Sequence, residues 1–180
     1  VDSRTRLIST AVGLLYEEGV EAVTLRRIAR AAGVSHGAPL RHFAGRAELL
    51  SAVATEGFAE LHKRRDELPE TGAQDRLVAA CRRYLDFALD NPAMFELMFR
   101  HDLTDPSELA ESHSEVFAWF TELVTEAQAD GWRPEADART LAASLWAALH
   151  GIAELWLGGG LEGRPDVDTT LEVTLSTYLG

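Results

Sequence analysis

Between Ala22 and Ala47 the chain carries five arginines (Arg26, Arg27, Arg30, Arg41 and Arg46), two histidines (His36 and His42) and no carboxylate. The chemistry open to such a segment is the holding of anions, above all a row of phosphates, rather than proton transfer or nucleophilic attack. The rest of the sequence has the opposite balance. Residues 1–50 hold seven arginines against five acidic residues, whereas residues 51–180 hold ten basic residues against twenty-four acidic ones, for a net charge of −12. An acidic body repels a nucleic acid everywhere except at the basic segment, and so orients its approach. The competing reading is a solvated helical face that happens to be rich in arginine.

Other chemistries find little support. No pair of carboxylates accompanies a positioned histidine, and neither a nucleophile motif nor a phosphate-cradling glycine loop is present, so the expectation is a protein that is not an enzyme. Gly158-Gly159-Gly160 follows an apolar run and reads as a helix stop. His36 and His42 lie six residues apart with no acidic neighbour, which suits surface polar groups better than metal ligands. Cys81 stands alone, so it forms no internal disulfide and no cysteine-based zinc site; among Val78, Ala79 and Leu85 it reads as a buried, inert thiol. No metal and no cofactor are expected. A length of 180 residues, 46% of them hydrophobic and 26% charged, fits one globular domain or two small ones. The longest uncharged apolar stretch, Thr140–Ala153, has fourteen residues against the about 20 of a membrane span, so no membrane partner is expected. The opening residues are polar, unlike a secretory signal, and a cytoplasmic location is the expectation.

Nearly every segment reads as helix, and no long alternating run suggests a strand. The spacing of Leu7, Ala11, Leu14 and Leu15 predicts a helix from about Ser3 to Glu18, ended by Gly19. A short helix from Thr24 to Ala31 has Thr24 as its cap and Leu25, Ile28 and Ala29 facing inward. Gly33 breaks it, Val34 plugs the core, and Ser35 caps a second short helix reaching His42, with Phe43 as inward anchor. A long helix then spans Arg46 to Leu68. Thr71-Gly72-Ala73-Gln74 reads as a capping box opening a helix to Leu89; Asn91-Pro92 and Asp105-Pro106-Ser107-Glu108 open two more, the second reaching Asp130. The last two helices cover about Ala136–Leu157 and Asp166–Tyr178.

Two short helices separated by Ala32-Gly33-Val34 form a helix-turn-helix, whose second helix enters the major groove while the first crosses the backbone. Close approach needs short side chains at the leading edge, as Ser35, His36, Gly37 and Ala38 supply, and cations nearby, as Arg26, Arg27, Arg41 and Arg46 supply. The run from Leu25 to Ser35, then His42-Phe43 and Leu49-Leu50, resembles the N-terminal domain of the TetR family of transcriptional regulators over residues 3 to about 52. Asn91–Phe95 and Trp146–Gly151 are similar to segments of one C-terminal subgroup of that family. The resemblance implies an all-α chain: a three-helix DNA-binding domain at 1–47 joined to a helical ligand-binding and dimerisation domain at 48–180, with 48–68 as connecting helix. It further implies a homodimeric repressor that binds a palindromic double-stranded operator and is released by a small-molecule effector. Carried over by position, Thr24 and Arg26 touch phosphates, Ser35, His36, Gly37, Ala38 and Arg41 read bases, and His42 and Arg46 grip the backbone. The family usually has Leu-Tyr where this chain has Pro39-Leu40, so a phosphate-contacting tyrosine hydroxyl is missing, and Pro39 predicts a short or distorted helix. A helical interaction module without specific DNA binding is the alternative.

In the acidic part, Phe87, Met94, Phe95, Met98, Phe99, Phe117, Phe120 and Trp146 offer an apolar wall for an apolar or aromatic ligand. His150, with His113, is the polar group to orient it, and Trp119 sits at the edge or half exposed. Such stripes also build ordinary cores. On the penultimate helix Leu145, Leu149, Ile152 and Trp156 form one apolar stripe and Ala143, Ala147 and Gly151 a second, of small residues, so that helix must be buried on two sides. With Leu155, Leu171, Leu175 and Tyr178 it is the expected dimer interface, two helices from each chain.

Overall fold

A computed structural model describes residues 2–159, 163 and 165–179, and among these there are eight α-helices and no strand. The all-α class expected from the sequence is what the chain adopts. It divides into two compact units, one made of Val1–Glu60 with Asn91–His113, the other of Leu61–Asp90 with Ser114–Gly180.

In the first unit, α1 (Ser3–Glu18) starts on Asp2, whose carboxylate accepts from the Thr5 amide at 2.9 Å. It ends at Gly19, where a φ of +82° favours glycine, and buries Leu7, Ile8, Ala11, Leu14 and Leu15. α2 (Leu25–Ala31) starts on Thr24, which accepts from the Arg27 amide at 3.2 Å. Its end is a Schellman turn: Gly33, at φ +67°, donates to the Arg30 carbonyl and Val34 to the Ala29 carbonyl. Val34 is only half-buried, so Ile28 and Ala29 fill the core here rather than Val34.

The helix expected over Ser35–His42 is not α-helical. A 3-10 turn covers Pro39–Arg41, joined by three-residue hydrogen bonds from Ala38 to Ser35, Arg41 to Ala38 and His42 to Pro39. Pro39 has no amide to donate into the four-residue ladder of an α-helix, and the tighter pattern does not need one there. Pro39 and Phe43 are buried and hold the turn against the unit's core.

α3 (Arg46–Lys63) is shorter than expected and runs into a 3-10 segment at Arg64–Glu67. Within the first unit its buried Ser51 donates to the Ala47 carbonyl at 2.9 Å and accepts from the Asp105 amide at 2.8 Å. Gly57 lies against α5 (Pro92–Met98), where an added Cβ would stand 2.7 Å from both Met94 Cγ and Met98 Sδ. Asn91 precedes α5, but its side chain makes no capping bond and instead accepts from the Tyr16 hydroxyl at 3.3 Å.

In the second unit, α4 (Ala73–Asp90) packs on α7 (Ala138–Leu157) and α8 (Val167–Leu179). The expected capping box is absent. The Arg76 amide donates to the Gly72 carbonyl, which puts Gly72 at the cap, and Gln74 donates to the Leu179 carbonyl at 3.0 Å. α6 (Pro106–Ala129) runs from one unit into the other and ends in a second Schellman turn at Gly131. Cys81 is buried, and burial pushes its thiol up to about 12, as suits an inert side chain. Trp119, expected at a pocket edge or half exposed, is 2% exposed, which leaves out the half-exposed alternative. Twenty residues long with a mean hydropathy of 1.2, α7 could cross a bilayer by length and composition alone, where the fourteen-residue count suggested that no helix could. That count stopped at Arg139 and Glu154, yet a span tolerates a charge near each end. Of the Gly158–Gly160 stop, Gly158 caps α7 and Gly159 has a φ of +66°; Gly160 lies outside the described residues.

Replacing Gly33 by alanine forces a side chain into the left-handed region and is expected to lower the free energy of unfolding by about 1–2 kcal/mol. Gly33→Asn should lose less, because a short polar side chain tolerates that conformation. Urea denaturation of the three proteins provides the comparison.

Candidate nucleic-acid interface

The Thr24 cap, the face of α2 and the Schellman turn together shape an open concavity of about 640 Å³ lined by Thr24, Arg26, Arg27, Arg30, Val34 and His36. Arg26, Arg30 and His36 are exposed, as are Ser35 and Gly37 beyond them. Ala38 is half-buried, and the 3-10 turn then presents Leu40 and Arg41 to solvent. Among the described residues no carboxylate pairs with Arg26, Arg30 or Arg41. Sequence reasoning had not placed Arg30, Val34 and Leu40 at the site. Arg30 was visible in the carboxylate-free run, whereas the outward aim of Leu40 follows only from the 3-10 geometry.

Three expected contacts are differently disposed. Arg27 is paired with Glu18. Arg46, expected to grip a phosphate, turns into its own chain: Nε donates to the Val23 carbonyl at 2.9 Å and Nη2 to that of Val20 at 2.7 Å, with Glu21 at 3.4 Å. Val20 opens and Val23 follows the 3-10 segment Val20–Ala22 that joins α1 to α2, so Arg46 braces the corner of the motif. His42 is half-buried with its ring against Phe43, centroids 6.4 Å apart, and Arg4 lies over the Phe43 ring at 5.3 Å. Asp2 also faces His42. Its carboxyl is held below the usual range first by hydrogen bonds from Thr5, with a smaller contribution from the histidine.

The apolar side chains expected to line a ligand wall fall into both units. Met94, Phe95 and Met98 are buried in the first, with Phe99 half-buried 5.0 Å from Phe95. His113 lies beside them, its Nδ1 3.0 Å from the Leu109 carbonyl and its ring 4.6 Å from Phe58. In the second unit Phe87 and Phe120 are buried, and Phe117 stacks on Trp146 at 6.0 Å and 22°. His150 Nδ1 is 3.0 Å from the Tyr84 hydroxyl, and burial holds its pKa below the usual histidine value. Tyr84 had not been singled out; its place on the buried face of α4 was the available signal.

The expected dimer residues also divide. Ala143, Ala147 and Leu155 are exposed, and Gly151 and Tyr178 are half-buried, with the Tyr178 hydroxyl 2.8 Å from that of Ser144. Leu171 and Leu175 are instead buried within the chain, where they are the buried residues of α8. Buried in this way, they offer no outer surface; among the described residues of that helix the exposed large apolar side chain is Val173, at 62%.

Removing the Arg46 side chain takes the donor from the Val23 carbonyl and the second of two donors from that of Val20, which keeps the Val23 amide. Arg46→Ala is therefore expected to cost about 1–3 kcal/mol of stability. Arg26→Ala and Arg41→Ala, both at unpaired exposed positions, should stay within about 0.5 kcal/mol of the parent. Thermal and urea unfolding separate the brace from the open cations.

Comparison with known proteins agrees with this geometry. Residues 7–53 match the model for bacterial regulatory proteins of the tetR family, and residues 77–178 match the model for the tetracyclin repressor-like C-terminal domain. The HTH-type transcriptional regulator YobS of Bacillus subtilis is 23% identical over 176 residues, which span 96% of this chain and 88% of that protein. A solved structure of a Rhodococcus sp. RHA1 protein of unknown function has a TM-score of 0.83 and 34% identity, covering 99% of this chain and 94% of the other. The regulator FadR from Bacillus halodurans, at a TM-score of 0.79 and 19% identity over 100% of this chain and 96% of its own, shares the fold. With both halves of the motif and the helical part after it accounted for, the chain belongs to the TetR family of DNA-binding transcriptional regulators.

Proposed function

We propose that this regulator is a repressor that binds a palindromic operator as a homodimer and lets go when a small apolar or aromatic effector binds. The observation that carries the reading is the set of exposed cations without a carboxylate partner, Arg26 and Arg30 in a concavity whose lining has no carboxylate and Arg41 on the 3-10 turn that follows it. Residues 1–47 are assigned to DNA binding and 48–180 to effector binding and dimerisation, with 48–68 linking them. Thr24, Arg26 and Arg30 hold phosphates, with Arg27 helping once Glu18 yields it. Ser35, His36, Gly37, Ala38 and Arg41 face the base edges, and His42 stands at the backbone. Action is on DNA in the cytoplasm, with no catalysis and no cofactor.

Dimerisation rests on α7. Only 28% of its most apolar window is buried within the chain, which leaves an apolar surface that a second copy can cover. Ala143, Ala147, Gly151 and Leu155, with Tyr178 and the newly recognised Val173, are the residues assigned to it. A twofold pair of motifs about 34–36 Å apart reads two half-sites one helical turn apart. For the effector, the two clusters described above are the candidates: Met94, Phe95, Met98 and Phe99 in one unit, and Phe87, Phe117, Phe120, Trp146 and His150 in the other. To reverse a 99:1 bias the effector must favour the off state about 10⁴-fold.

Fluorescence anisotropy against the DNA flanking the gene, from 50 to 200 mM salt, tests the DNA reading. Log affinity should fall steeply with log salt, and Arg26→Ala should reduce the slope by about one. Arg41→Ala should also blur the preference between sequences. A slope near zero, or equal binding by all variants, would favour the interaction module instead. For the dimer, Val173→Glu together with Leu155→Glu should give a monomer by light scattering and weaken operator binding. A double variant that remains a dimer would move the interface elsewhere.

A further inference from the structure

Leu40 is a large apolar side chain, 61% exposed, in the middle of the surface assigned to base reading. It stands where the family's tyrosine would donate to a phosphate, and it has no group that could. Its direction is set by the chain: Pro39 before it and Phe43 after it are buried, and Arg41 donates to the Ala38 carbonyl at 3.2 Å within the 3-10 turn. Gly37, three residues earlier in the turn that leads into it, is exposed and brings no side chain of its own to this surface. Arg41 is exposed beside it, so an apolar and a cationic side chain stand next to each other on this surface.

On those edges the major groove offers one apolar feature, the thymine 5-methyl group; every other group there is a hydrogen-bond donor or acceptor. We propose that Leu40 is a specificity-determining residue that packs on a thymine 5-methyl in each half-site, in place of the phosphate contact its position otherwise makes. The assignment rests on the DNA-binding reading above. It explains how the loss of the hydroxyl and the gain of Pro39 go together: a tighter turn projects a short apolar group into the groove instead of a long polar one toward the backbone.

The test removes the methyl and nothing else. A duplex is selected from a random-sequence pool by the wild-type protein, and each thymine in turn is replaced by deoxyuridine, symmetrically in both half-sites. Wild type should lose about fourfold per half-site at one thymine position and little at the others. Leu40→Ala should bind the thymine and uracil duplexes equally, and Leu40→Met, which keeps an apolar tip, should recover part of the difference. The exposure of Leu40 means that neither variant should unfold the chain. A uracil penalty of the same size for wild type and Leu40→Ala, or no penalty at any position, overturns the proposal while leaving DNA binding intact. Failure of wild type to select any sequence overturns the DNA reading itself.

Discussion

A cation holds a phosphate most readily where no carboxylate of its own chain must first be displaced from it. That constraint sorts the arginines of this protein. In the acidic part Arg65, Arg76 and Arg100 face glutamates or aspartates within 3.0 Å, while Arg64, Arg133 and Arg139 lie over aromatic rings. Such exposed ion pairs add little stability, but they leave no open charge. Arg26, Arg30 and Arg41 escape this because Ala22–Ala47 contains no acidic side chain and because the nearest glutamates have other partners: Glu18 is taken by Arg27, and Glu48 by the Ala44 amide at 2.6 Å. The arginines on the face assigned to DNA are open because the sequence around them places no carboxylate beside them.

The same segment must be rigid enough to present them. Its turns are fixed by backbone geometry at Gly19 and Gly33, its first helix by the Thr24 hydroxyl, and its second half by two buried anchors, Pro39 and Phe43. Arg46 completes the frame by spending its charge on the carbonyls of Val20 and Val23. An arginine in a basic run thus serves the interface by position rather than by contact. The mostly short side chains from Ser35 to Ala38, which pack little, leave the backbone there open to close approach by a groove in the reading above.

What the sequence made legible was local. The extent of α1, the Thr24 cap, the Gly33 turn and the start of α6 at Asp105-Pro106 are each set by residues within four positions of one another. What it hid was set by partners far along the chain. Arg46 finds carbonyls 23 and 26 residues away, Gln74 a carbonyl 105 away, and Asn91 a tyrosine 75 away, so three side chains read as phosphate grip or helix caps do other work. Leu171 and Leu175 match the apolar period of a helix equally well whether they face their own chain or another, and only packing decides. Pro39 lay between: its missing amide announced a distortion, and the three-residue hydrogen bonds that replaced the ladder had to be seen.

Hydroxyl-radical footprinting of the chain with and without its selected duplex tests the central claim most directly. Protection should concentrate on exposed side chains between Thr24 and Phe43, Leu40 and His36 among them, with the exposed side chains of α7 unchanged by DNA. Protection centred on the acidic part, with residues 24–43 equally reactive in both states, would contradict the account.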